Sequence, residues 1–466
     1  MDKNFDVIWI GTGQATMTVV PRLLDAGKSV AVIEGGRFGG TCVNYGCTPT
    51  KTLVASAYAI HMARRGDVFG FSTGEVTVDF RQAMSTQQTN RRQSSDWMEN
   101  RLQSLDGCTV LHGMGMFVDD STVQVDQQKL TAETIVVHAG TRPNTPSVKG
   151  VDSIDWLTNE SILDLDELPC HLVVVGGSYI ALEFAQIFRR FGSRVTILLR
   201  GQRVLSKEDE DISRSVEELL EAEGVEILRN CVLEEVTPED GVTLNLQIDD
   251  SPSSLSASHL LFAIGRVPNS DRVGAAAAGL KLTGRGHLEV NEITQTSVPH
   301  IYALGDINGR GAFTHTSVND GEIFWDHYSR AIGVNREPPR LDRTIGMRTE
   351  ISAMFVDPPL ARVGMNESQA RRSGKNVLLA TMPMNKIARA KEKRETHGLV
   401  KILVDADTEQ ILGATVFGTG GDEVIGIFAA LMQTGASYKL LRRVVFPHPT
   451  VSELMPWCLD GLEPLT

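Results

Sequence analysis

Cys42 and Cys47 are separated by four residues in Gly39-Gly40-Thr41-Cys42-Val43-Asn44-Tyr45-Gly46-Cys47-Thr48-Pro49-Thr50-Lys51. A zinc site would need four ligands, usually as two close pairs, and no second Cys or His pair stands at such spacing. A structural disulfide fits poorly with a chain that shows no export signal. Redox chemistry fits best, because it needs one accessible thiol to attack a substrate disulfide and one held against an electron donor. Four intervening residues, two of them small or turn-forming, can start a helix with both sulfurs on one side. The helix N-terminus and cations such as Lys51 then favour thiolates. Two unconnected cysteines are the bland alternative.

A second chemical pair closes the chain. In Phe446-Pro447-His448-Pro449-Thr450-Val451-Ser452-Glu453, a histidine stands five residues before a glutamate. Thiol–disulfide exchange needs a base for the attacking thiol's proton and a carboxylate to orient the imidazole. A purely structural histidine would account for the same spacing.

Two glycine turns must position these groups. Residues 5–10 read as a buried strand, followed by Gly11-Thr12-Gly13-Gln14-Ala15-Thr16 and a second strand ending at Glu34. An acid 23 residues after Gly11 can bind ribose hydroxyls. Thr16 replaces the usual third glycine, which predicts a slightly wider gap between helix and strand. The second turn, Gly176-Gly177-Ser178-Tyr179-Ile180-Ala181-Leu182-Glu183, follows the strand at 172–175 and opens a helix that Gly192 should cap. Ser178 replaces the middle glycine and still allows close approach to a pyrophosphate, less easily than glycine does. The following strand, 194–199, ends in Leu199 and then Arg200, with Arg203 three further on. An acid there would select NADH, whereas arginine forks match a 2′-phosphate and predict NADPH. Solvated surface arginines are the alternative.

Together these segments resemble the class I flavoprotein disulfide reductases, the family of dihydrolipoyl dehydrogenase, glutathione reductase and mercuric reductase. The motifs recur in family order along essentially the whole chain. The resemblance implies an α/β fold with two dinucleotide-binding, Rossmann-like domains and a C-terminal α+β dimerisation domain. Its expected spans are 1–150 (FAD, first part), 151–270 (NADPH), 271–342 (FAD and central, second part) and 343–466 (dimerisation). It implies FAD as resident cofactor, Cys42 as the thiol that exchanges with substrate, and Cys47 as the thiol that contacts the flavin. Its FAD positions fall on Gly11, Gly13, Glu34, Thr41, Lys51, Gly140, Asp306 (ribityl chain), Phe313 and Thr314. Its nucleotide positions fall on Gly176, Ser178, Tyr179, Ile180, Glu183, Arg200 and Gly265, the last in the loop that closes the second domain. Ala181 is similar to the NADPH-using glutathione reductases. Tyr179 resembles a tyrosine that covers the flavin until nicotinamide arrives, though packing alone would also explain it. Lys51 and Glu183 resemble a pair beside flavin N5. The His448–Glu453 pair resembles a dyad that reaches the cysteines of the other subunit, which implies a homodimer.

Two departures matter. His138-Ala139-Gly140 stands where the family has Ala-Thr-Gly. The wording of Asp357-Pro358-Pro359-Leu360-Ala361-Arg362-Val363-Gly364 is most like the mercuric-reductase-like branch, yet the vicinal cysteine pair of that branch near the C-terminus is missing. Only Cys458 stands there, and no metal-carrying domain is expected before the first strand.

The 466 residues suffice for two to four domains. A net charge of −13 disfavours nucleic acid and anionic membranes as partners. No apolar run reaches the roughly 18 residues of a spanning helix. The scattered Cys108, Cys170, Cys231 and Cys458 suit a reducing compartment, read as the cytoplasm. No metal ligand set is expected. Residues 81–101 read as a long exposed helix and 275–278 as a short one. The expected function is electron transfer from NADPH through FAD and the Cys42–Cys47 disulfide to a small disulfide, an oxidised thiol or a soft metal ion. Alternatives are a mercuric reductase, a dihydrolipoyl dehydrogenase using NAD (which Leu199-Arg200 opposes), and a subunit-binding module of a multienzyme complex.

Overall fold

The computed structural model describes residues 3–239, 241–335 and 342–465; parts of the expected domain spans therefore lie outside the described residues. Two compact units emerge, one of residues 1–52, 84–145 and 264–348, the other of residues 53–83, 146–263 and 349–466.

In the first unit the described residues form a seven-stranded sheet. Its order is Cys108–His112, Val30–Glu34, Lys3–Ile10, Gln128–Val137, Thr122–Val125, Met116–Phe117, with Ile301–Ala303 also pairing Gln128–Val137. Pairing is parallel from Cys108–His112 to Gln128–Val137. Strands buried on both faces carry continuous apolar runs, and Val7, Ile8, Trp9 and Ile10 are all buried. Their alternation sorts them: Ile8 and Ile10 join Ala31 and Ile33 on one face, while Val7 and Trp9 join Val30 and Val32 on the other. Helix Thr16–Asp25 covers the second face through Val19, Val20 and Leu23, and helix Thr314–Ala331 does so through Phe324 and Tyr328.

The second unit holds a four-stranded parallel sheet ordered Val225–Leu228, Arg194–Leu198, His171–Val175, His259–Phe262. It also holds a six-stranded antiparallel sheet of Ile351–Met354, Leu360–Gly364, Ile411–Phe417, Leu399–Asp405, Val377–Pro383 and Glu463–Pro464. Helix Tyr179–Phe191 ends at Gly192 (φ 125°), as the sequence predicts.

The strand expected at 194–199 stops at Leu198. The long polar helix spans Phe80–Gln103. No helix forms at 275–278: residues 271–279 run as successive turns, closed by bonds such as Ala277 N to Gly274 O. Among the described residues, no helix is long and apolar enough to cross a membrane.

Candidate active site

The two cysteines sit at the starts of two helices in the first unit. Thr41 and Cys42 lie on the short helix Gly40–Asn44, and Cys47 is the first residue of Cys47–Arg64. The buried Asn44 closes the loop between them, donating from Nδ2 to Phe38 O at 2.9 Å and Gly40 O at 3.0 Å. Sequence reasoning passed over Asn44; its signal was a polar side chain confined between two cysteines.

Both cysteines are free thiols. Cys47 Sγ lies 3.2 Å from Thr314 Oγ1. The hydrogen bond between the two thiols, burial and the negative charge on Cys47 push the Cys42 thiol well above its usual range, while Thr314 and Lys51 pull the other way. The N-terminal end of the long helix favours negative charge at Cys47.

A chain of polar contacts runs on from this loop. Arg266 Nη2 donates to Thr41 Oγ1 at 3.2 Å, and its Nε donates to Thr141 Oγ1 at 2.8 Å. The Thr141 hydroxyl donates to Asp306 Oδ2 at 3.2 Å. Burial raises the Asp306 carboxyl, and Arg266 partly compensates. Thr141 and Arg266 were missed from sequence, because only the ribbon pairing Thr141–Pro143 with Arg266–Pro268 brings them together.

Gly11 turns the chain at φ 95°, and a Cβ there would lie 2.4 Å from His138 O. Glu34 stands at its strand end, accepting from Thr12 N at 2.9 Å, Thr12 Oγ1 at 2.6 Å and Gly36 N at 2.8 Å. Gly13, Gly140, Gly265, Phe313 and Thr314 lie in the same unit. A glycine turn without room for a side chain, a carboxylate at the next strand end and a half-buried acceptor for hydroxyl hydrogens together fit FAD.

Thr16 stands at the third position of the glycine turn with its hydroxyl engaged. Fully buried, it accepts from Trp9 Nε1 at 3.0 Å and lies 3.4 Å from His138 Nδ1. His138 Nε2 meets Ser317 Oγ at 2.8 Å, and burial pushes this imidazole down to about 4, so it is neutral.

In the second unit, Gly176 (φ 129°) admits the chain within 2.5 Å of Ala263 O, measured from where its Cβ would be. Ser178 caps the helix Tyr179–Phe191 with its side chain not bonded to the cap, leaving Ile180 in the first turn. This 13-residue helix offers its N-terminus to a pyrophosphate. Arg200 is exposed just past the strand. Arg203 is turned onto its own loop, donating to Glu208 O at 3.0 Å and Ser206 O at 3.3 Å. Tyr179 donates to Glu208 Oε1 at 3.2 Å, lies 3.3 Å from Ser352 Oγ, and is pushed up to about 12 by burial. Glu183 Oε1 accepts from Phe355 N at 2.8 Å.

His448 Nδ1 lies 2.9 Å from Glu453 Oε2 and 3.1 Å from Oε1. The histidine side chain is 75% exposed against 16% for the glutamate, so the anchored nitrogen faces inward and Nε2 faces solvent. Cys458 is sealed in the core of the six-stranded sheet, its thiol pushed up to about 12 by burial. Asp209, Asp211 and Glu367 converge, and the Lys401 ammonium occupies their centre, 3.0 Å from Asp209 and 2.9 Å from Asp211.

Residues 5–321 match the family described as pyridine nucleotide-disulphide oxidoreductase, and residues 351–459 match the dimerisation domain of that family. A mercuric reductase of Lysinibacillus sphaericus is 30% identical over 97% of this chain and 81% of its own length. The probable pyridine nucleotide-disulfide oxidoreductase RclA of Escherichia coli strain K12 is 31% identical over 97% of this chain and 98% of its own. The solved Cu(II) complex of the HOCl-induced flavoprotein disulfide reductase RclA of Escherichia coli superimposes with a TM-score of 0.87 at 30% identity, covering 99% of each chain.

Proposed function

We propose that this chain, which belongs to the pyridine nucleotide-disulphide oxidoreductase family and is an FAD-dependent disulfide oxidoreductase using NAD(P)H, works as a homodimeric NADPH-dependent reductase. Its acceptor is a small disulfide, an oxidised thiol or a soft metal ion. The division of labour proposed for the chain is FAD at 1–150 and 271–342, NADPH at 151–270 and dimer formation at 343–466. We place the enzyme in the cytoplasm.

Arg200 and the N-terminus of helix Tyr179–Phe191 hold the nucleotide phosphates, with Gly176, Ser178 and Ile180 lining the approach. Gly11, Gly13, Glu34, Thr41, Gly140, Asp306, Phe313 and Thr314 would hold FAD, Lys51 and Glu183 would tune its reactive ring, and Gly265 would serve the nucleotide. Bound FAD supplies the two-electron link between the nicotinamide and the cysteine pair. Cys42 Sγ attacks the acceptor disulfide and expels one thiol. Cys47 Sγ then attacks Cys42, expelling the second thiol and closing the Cys42–Cys47 disulfide, so two thiols are oxidised for each disulfide reduced. Across the dimer, the partner subunit's His448 takes the Cys42 proton at Nε2 and returns it to the leaving thiolate, with the partner subunit's Glu453 orienting the ring.

The observation that carries this reading is the pair itself: Cys47 Sγ beside the Thr314 hydroxyl, and Cys42 next to it with a thiol that its neighbour and burial push up. The test is steady-state NADPH oxidation against a panel of disulfides, Hg(II), Cu(II), quinones and hypothiocyanite. Rapid turnover with a disulfide by a free dimer supports the reading. Turnover with none of them, or isolation as part of a large complex, supports the multienzyme alternative.

A further inference from the structure

Glu208 stands on the loop between strand Arg194–Leu198 and helix Glu210–Ala222, a few residues past Arg200 and Arg203. Its carboxylate is nearly buried, with 5% of the side chain exposed, and both oxygens are used. Oε2 accepts from Arg362 Nε at 2.9 Å, and Oε1 accepts the Tyr179 hydroxyl at 3.2 Å. Arg362 is itself fixed by donating to Gly364 O at 2.7 Å. The next residue, Asp209, is held by the buried Lys401. The loop is equally constrained before Glu208. Leu205 N donates to Gly177 O of the nucleotide turn at 2.7 Å, and Leu205 adopts φ 47°, a left-handed conformation that a branched side chain resists. Glu208 is thus a rigid post, and Tyr179 is the partner that can leave.

We propose that Glu208 is a positioning residue that latches Tyr179 in its closed setting, so that every incoming nicotinamide nucleotide must first break the Tyr179–Glu208 hydrogen bond. This rests on the reading of Tyr179 as the tyrosine that covers the flavin until nicotinamide arrives. A bond from a phenol to a buried carboxylate is stronger than a neutral one. The latched population lowers apparent nucleotide affinity by the fraction that is open. The latch opposes NADPH and NADH alike, because the 2′-phosphate is read at Arg200 and not at Glu208. Affinity and cofactor choice are then set by separate residues on one loop.

The experiment is calorimetric titration of the oxidised, FAD-loaded enzyme with NADP⁺ and NAD⁺, for the unmodified protein, Glu208→Gln, Tyr179→Phe and the double variant. Each single variant is expected to bind both nucleotides about three- to tenfold more tightly, and KM for NADPH falls correspondingly. The double variant gains nothing beyond Tyr179→Phe, because the hydroxyl that Glu208 holds is already gone; Tyr179→Phe also gives up the contact with Ser352, so its gain is at least that of Glu208→Gln. The ratio of NADP⁺ to NAD⁺ affinity stays as in the unmodified protein. Additive gains, or binding that weakens or stays unchanged in Tyr179→Phe, overturn the latch. If Glu208→Gln fails to fold with Arg362 unpaired, Tyr179→Phe still decides the matter. Absence of an NADP⁺ preference in the unmodified protein would count against Arg200 while leaving the latch to stand or fall on the tightening alone.

Discussion

Thr314 Oγ1 stands 3.2 Å from Cys47 Sγ, joining the first residue of one long helix to the first residue of another. The hydroxyl can donate to a thiolate, and charge-assisted bonds of this kind are about twice as strong as neutral ones. Two-electron reduction should give a long-wavelength charge-transfer band from a thiolate at Cys47. Thr314→Val should weaken that band at neutral pH while FAD is retained, and Cys47→Ser should abolish it. The check is an anaerobic spectral titration; an undiminished band in Cys47→Ser would remove Cys47 from its assigned place.

His448→Ala should lower kcat for disulfide reduction by about 10²-fold or more, the scale of a lost general base. Glu453→Gln should lose less, since the imidazole remains. The pH profile carries the sign. The Cys42 thiol is raised above the ordinary thiol range, so it is protonated near neutrality and its thiolate grows as pH rises. Without His448 the residual rate should climb steadily from pH 7 to about 9 with no plateau. A flat profile in the variant would mean that another group takes the proton.

NADPH should exceed NADH in kcat/KM by at least about tenfold, because one good phosphate–arginine contact is worth roughly 1.5–3 kcal/mol. Arg200→Glu should erase or reverse that preference. Arg203→Ala should act differently, through loop stability, because its guanidinium is spent on Glu208 O and Ser206 O. Equal use of both nucleotides by the unmodified enzyme would refute the role of Arg200.

Local signals were enough for the strands, glycine turns and helix stops, because an apolar run such as Val7–Ile10 and a left-handed glycine are fixed by neighbouring residues. Cys42 with Cys47, and His448 with Glu453, were readable for the same reason. Partners supplied by distant chain were not. Arg266 reaches Thr41 across 225 residues, Tyr179 finds Ser352 across 173, and no periodicity announces either. Thr16 was legible only as a replaced glycine, whereas the partners of its hydroxyl, Trp9 and the distant His138, were not. Residues 275–278 misled because alanines favour helix, while left-handed glycines at 274 and 279 hold the segment in turns.

His138 makes acid stability a test of the first unit. Its pKa falls from the unperturbed 6.5 to about 4 because burial disfavours the cation. The unfolded chain then binds the proton more readily between these values. Its stabilising contribution is complete above pH 6.5 and is lost as pH falls toward 4, an effect of about 3 kcal/mol. His138→Ala should lower Tm at pH 7 through lost packing, yet lose less on acidification to pH 4.5 than the unmodified protein does. Parallel declines in Tm for the two proteins would show that His138 is not the group responsible.

Hg(II) should inhibit this enzyme and not be turned over efficiently. Two thiolates in close reach bind a soft ion tightly. Release or delivery of that ion requires exchange with further thiolates, and tight binding alone does not produce turnover. The remaining cysteine near the C-terminus, Cys458, is 2% exposed and its thiol is pushed up to about 12, so it offers neither access nor a thiolate at neutral pH. Small disulfides escape the trap because His448 can complete proton transfer and the product thiol leaves. The decisive measurement is Hg(II)-dependent NADPH oxidation with excess thiol present. Sustained turnover of several per second that Cys458→Ala abolishes would require the core around Cys458 to open during catalysis, and would restore mercuric reduction as the activity of this chain.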